Sequence, residues 1–75
     1  MDVRAQVGRN VRQYRLRAGL SREELAHRAD LDRTYISGVE RGVRNPTVLV
    51  LQALATVLGV QPADLLADGT DQVRR

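Results

Sequence analysis

Two short helical patterns separated by about three residues constrain this chain more than any other feature of it. The first opens at Ser21-Arg22-Glu23-Glu24, where Ser21 and Glu24 have the spacing of a capping box, and it turns Leu25, Ala26 and Ala29 inward. After the break Asp30-Leu31-Asp32, Asp32 can cap a second pattern that runs to about Arg41 and stops at Gly42. So tight a break does not suit an antiparallel hairpin; it suits a sharp corner between two helices. Such a corner needs a small inward residue where the helices meet, a residue tolerant of positive φ in the turn, and an apolar plug behind it. Ala26, Asp30 and Leu31 occupy those places, and Ile36 and Val39 anchor the second helix inward at i, i+3.

Three more helical segments surround the pair. Val3, Val7, Val11, Tyr14 and Ala18 recur on one face of the first, and Gly19 is its stop. A fourth follows Asn45-Pro46-Thr47 and ends at Leu58 before Gly59, with Val48, Leu51, Leu54, Ala55 and Leu58 as its core face. Pro62 suits the first turn of a short fifth segment holding Ala63 to Ala67. The expectation is an all-α, five-helix domain over residues 1–67, with dimerisation helices at 47–67 and a frayed tail at 68–75. In 75 residues with no cysteine, neither a disulfide framework nor a thiolate metal site can brace the fold. Val, Leu, Ile and Ala must carry the core, helped by a partner chain. No apolar run approaches the ~20 residues of a membrane span, and Met1-Asp2-Val3-Arg4 lacks the apolar stretch of a signal peptide. A soluble cytoplasmic protein with no membrane partner is expected.

The net charge is +3, and it is unevenly placed: residues 1–45 hold ten arginines against six acids, while residues 46–75 hold two arginines against three aspartates. Every basic residue is Arg. Codon usage in a GC-rich genome accounts for that, and so does a need for bidentate contacts to phosphate and guanine. On the second helix of the corner, Arg33, Thr34, Ser37, Gly38 and Arg41 fall opposite Tyr35, Ile36 and Val39. This face is polar, short-chained and basic at both ends, as an insert into a ~12 Å major groove should be. Arg33 and Thr34 sit in the first turn, which usually reaches base edges. Arg33 is expected to donate a bidentate pair to a guanine and Thr34 to touch a thymine methyl or a phosphate, while Ser37 can read a base or a sugar. Gly38 has two readings, close approach to DNA or tight packing on a neighbouring helix. Tyr35 reads first as a helix-surface anchor, with phosphate contact through its hydroxyl as the alternative.

The stretch Leu20 to Ala26, followed by Leu31-Asp32-Arg33-Thr34-Tyr35-Ile36-Ser37-Gly38-Val39-Glu40-Arg41-Gly42-Val43-Arg44-Asn45-Pro46-Thr47, resembles the phage repressor/Cro-like (XRE-type) helix-turn-helix family. Within that family it looks most like the controller proteins of restriction–modification systems, and the likeness covers about residues 7–66. It implies a Cro/repressor-like domain that binds double-stranded DNA, with Arg33, Thr34 and Ser37 at base-facing positions. It also implies phosphate contacts from Arg41, Arg44 and Asn45, and from Arg22, which stands where relatives commonly place Gln. Arg15 and Glu40 fit a structural ion pair of the family. Asp30 departs from the glycine usual at the corner.

The fourth segment points to a partner. Opposite its core face, Leu49, Val50, Ala53 and Val57 form a second apolar stripe, more than so short a chain can cover. An isologous homodimer through this helix, helped by Val60, Leu65 and Leu66, is expected. Its two-fold axis would set two recognition helices ~34 Å apart on a pseudo-palindromic operator. Regulation would follow from occupancy, by blocking RNA polymerase or contacting it from an upstream site, with the protein on the bacterial nucleoid when bound. A phage-type repressor, an antitoxin-like regulator and a protein-interaction adaptor are the alternatives. No nucleophile–base pair or phosphate loop is visible and His27 stands alone, so no enzyme, metal or cofactor is expected.

Overall fold

The computed structural model describes residues 2–68, and among them it has five helices and no strand: α1 (Val3–Arg17), α2 (Arg22–Ala29), α3 (Arg33–Glu40), α4 (Val48–Leu58) and α5 (Pro62–Leu66). Local chemistry sets the boundaries. The Ser21 hydroxyl accepts from the Glu24 N–H at 3.0 Å while the Glu24 carboxylate accepts from the Ser21 N–H at 2.8 Å. Asp32 caps α3 through the Thr34 N–H at 2.7 Å, and Thr47 caps α4 through the Val50 N–H at 3.1 Å. The expected corner is present. Asp30 is the one non-glycine residue described with positive φ (59°), and Leu31 returns its N–H to the Ala26 carbonyl at 2.8 Å as it packs on the core.

Each helix gives the core one or more side chains: Val7 and Val11 from α1, Leu25 and Ala26 from α2, Ile36 and Val39 from α3, Leu51, Leu54 and Ala55 from α4, and Leu65 from α5. A close approach and a set of side-chain hydrogen bonds, both from α1, hold these layers in register. Gly8 lets α1 cross the end of α3, since a Cβ there would lie 2.5 Å from the Val39 carbonyl oxygen. Buried Asn10 donates to the carbonyls of Leu65 (2.9 Å) and Ala67 (2.8 Å), and Gln6 donates to that of Leu66. The last turn of α5 therefore finds partners on α1 for carbonyls it cannot pair itself.

Several expectations need correction. Val3 is 55% exposed in the first turn of α1, and Ala18, which caps its end, is exposed although Tyr14 and Arg15 of the last turn pack inward. Val48, assigned to the core face of α4, is 79% exposed at the helix start. Leu65, assigned to the dimer interface, is fully buried inside its own subunit. Neighbouring residues on a helix point ~100° apart, so α5 turns Leu65 inward and Leu66 outward. Val50, Val57 and Val60 are only half-exposed and flank the internal core; Ala53 is half-buried too. The side of α4 farthest from the core carries Leu49, Gln52 and Thr56, with Gln52 and Thr56 hydrogen-bonded to each other. The helix is therefore not apolar all round. The expected tail lies, apart from Asp68, outside the described residues.

Candidate nucleic-acid interface

The capping box that starts α2 and the short turn that starts α3 bring both helix N-termini to one side of the molecule. Ser21, Arg22, Glu23, Arg33, Thr34 and Ser37 line a single open hollow there. Three of these are the expected base readers and a fourth is an expected phosphate contact. Arg33 and Thr34 are exposed and Ser37 is half-buried, so the first turn of α3 is its most accessible part. Helix N-termini carry partial positive charge, which adds to the attraction of Arg22 and Arg33 for an anion and counters the Glu23 carboxylate that lines the same hollow.

The C-terminal end of α3 is built differently. Arg41 caps the helix and folds back, its Nε 3.4 Å from the Ser37 carbonyl oxygen. The chain then turns over α3: the Val43 and Arg44 N–H groups both donate to the Gly38 carbonyl, at 3.0 and 3.2 Å. Arg44 lies across Gly38 with its guanidinium 5.8 Å from the centre of the Tyr35 ring. A Cβ on Gly38 would stand 2.5 Å from the Arg44 Cγ. Gly38 is thus buried, not on the outward face, and the close packing it permits is by an arginine stem and not by a neighbouring helix. Tyr35 is half-buried against the core and its ring is the platform for Arg44. Asn45 is exposed in the same turn.

Beneath this surface Arg15 and Glu40 meet. Arg15 Nε is 2.7 Å from Glu40 Oε2 and Nη2 is 3.2 Å from Oε1, a forked contact in which the side chains are only 7% and 3% exposed. Arg15 also donates to the Leu20 carbonyl at 2.9 Å, tying the α1–α2 turn to the same point. Arg22 reaches the same carboxylate, its Nε 3.0 Å from Oε1.

The helix-turn-helix family model matches residues 11–65, a span that includes the corner, both capped helices and the turn that carries Arg44. The chain belongs to the helix-turn-helix family. Among helix-turn-helix relatives, it is 47% identical over 66 residues to control protein C.BamHI of Bacillus amyloliquefaciens, with 87% of this chain and 82% of that protein covered. The crystal structure of the hypothetical transcription factor NHTF from Neisseria superposes with a TM-score of 0.93 at 38% identity, covering 97% of this chain and 84% of that one. The N-terminal DNA-binding domain of SinR from Bacillus subtilis gives a TM-score of 0.82 at 33% identity, covering 87% and 96%.

Three features escaped sequence reasoning: the Gly8 crossing, the Asn10 tether and the bond from Arg22 to Glu40. Each joins residues far apart in the chain. Only Gly8 left a local trace, as a glycine within a helical pattern where packing or close approach is the usual cause.

Proposed function

We propose that this chain is a sequence-specific transcription regulator that binds a pseudo-palindromic operator as a homodimer. The observation that carries the reading is the hollow at the α2 and α3 N-termini, where Arg33, Thr34 and Ser37 stand beside Arg22 on the accessible end of α3. Arg33, Thr34 and Ser37 read base edges. Arg22, Arg41, Arg44 and Asn45 hold the phosphate backbone on either side, and Tyr35 acts through Arg44, which occupies its ring. Residues 1–67 form the binding unit, with 68–75 as its tail.

The dimer face is narrower than the whole of α4. Val48 and Leu49, 79% and 81% exposed, are the apolar side chains of that helix left open to solvent, and Leu66 on α5 is 45% exposed. A second copy covers them, with Ala53 and the open flanks of Val50, Val57 and Val60. The 42% identity to the restriction–modification controller protein C.AhdI from Aeromonas hydrophila supports a role in controlling restriction–modification genes. The chain would act from the bacterial cytoplasm, through occupancy that blocks or contacts RNA polymerase.

Affinity for short duplexes selected from random DNA, measured against salt, tests the reading. Phosphate contacts make log affinity fall steeply and linearly with log salt concentration. A flat profile, or a selection that enriches no sequence, contradicts it.

A further inference from the structure

We propose that Glu40 is a positioning residue for DNA binding: its buried carboxylate holds Arg22 through Nε, so that the rest of the guanidinium faces a backbone phosphate at the start of α2. This rests on the DNA-binding reading above. Arg15, a buried forked partner, already balances the Glu40 charge, so the second arginine is not needed to make the burial tolerable. Arg22 is a poor device for stability in two respects. Its side chain is 45% exposed, where an ion pair adds little. It also stands at the first residue of α2, where a cation opposes the helix dipole. The same place suits phosphate, since it lines the hollow shared with Arg33, Thr34 and Ser37.

Arginine is suited to this double contact because its five donors are spread over a rigid plane. One edge can be fixed by a carboxylate while another meets an anion. Glu40 closes α3, Arg15 belongs to α1 and Arg22 opens α2, so one carboxylate sets the phosphate-contacting arginine relative to the reading helix.

The test is a double-mutant cycle on binding to a selected duplex, read by fluorescence anisotropy at several salt concentrations. Arg22→Gln should weaken binding to all sequences alike and lower the salt slope by about 1. Glu40→Gln should cost roughly threefold more affinity when Arg22 is present than in the Arg22→Gln background. The same factor in both backgrounds would mean that Glu40 acts only through α3. Tighter binding by Glu40→Gln would mean that the carboxylate competes with phosphate. Either result overturns the proposal. Arg22→Lys guards against a folding defect, because it keeps the charge and leaves the buried pair intact. It should lose roughly threefold in affinity with its salt slope unchanged, and full affinity from Lys would also overturn the proposal. If Arg44→Ala weakens binding while no Arg22 variant does, DNA binding stands and the positioning role falls. A wild-type chain that retains no duplex removes both.

Discussion

The α2–α3 corner and α4 both turn part of their surface to solvent, and they do so with opposite chemistry. The corner shows Arg22, Arg33, Thr34 and Ser37 around a hollow, over a buried carboxylate gripped by two arginines. α4 contains no charged residue at all, and its most exposed apolar side chains are Val48 and Leu49. Both helices of the corner are only eight residues long, too short to persist alone, so caps and the Glu40 cluster add to the packing of Leu25, Ala26, Ile36 and Val39 in holding them in place. α4 is held by apolar packing through Leu51, Leu54 and Ala55. On the proposed reading this is a division of labour: the face offered to a polyanion has its charges fixed from within, and the face offered to a second copy has apolar atoms left uncovered.

The largest expected effect breaks the polar side of that comparison. Arg15→Ala leaves Glu40 buried with one half-exposed partner and should cost about 3–5 kcal/mol of stability, measured by urea unfolding. A cost below ~1 kcal/mol would show that the apolar packing of Leu25, Ala26, Ile36 and Val39 holds the corner without help from the buried pair. Next comes Leu49→Asp on α4, which should weaken self-association on the order of a hundredfold. Subunit stability should stay within ~0.5 kcal/mol. Sedimentation velocity at tens of micromolar, where wild type should be dimeric, checks this. An unchanged sedimentation coefficient would remove α4 from the interface.

Gly38→Ala separates folding from binding. Alanine gains helix propensity by ~1 kcal/mol but displaces the Arg44 stem from its seat across the helix. Thermal stability should hold or rise slightly while affinity for every duplex falls severalfold. The smallest effect concerns pH. Hydrogen bonds from the Ser21 N–H, and then from its side chain, hold the Glu24 carboxyl below its ordinary value. A carboxylate lowered on folding stabilises above its unfolded pKa, and that contribution is lost as pH falls through the folded value. Glu24→Gln, which removes the titrating carboxyl, should therefore flatten the acid side of the stability profile, seen by circular dichroism across that range.

The corner was legible because its signals are local: a capping box, an Asp tolerant of positive φ, and an apolar plug lie within a dozen residues. The basic outer face followed from helical geometry alone. What could not be read depended on contacts between distant segments. Leu65 looked like interface because its helix is short and leucine-rich, yet Asn10, 55 residues earlier, fastens the carbonyl end of that helix to α1 and the side chain goes inward. Gly38 looked solvent-facing because no helical pattern reveals that the following turn lays Arg44 across it. The α4 stripe was misjudged by a fraction of a turn, enough to mistake residues flanking the core for an opposite face.

The most direct test of α3 as a reading helix compares Arg33→Ala and Arg44→Ala on a selected operator and on unrelated duplexes at fixed salt. Arg33→Ala should reduce discrimination between them by about 1–3 kcal/mol, while Arg44→Ala should weaken both and leave their ratio unchanged. Equal loss on every sequence from both variants would contradict the assignment of base reading to the first turn of α3.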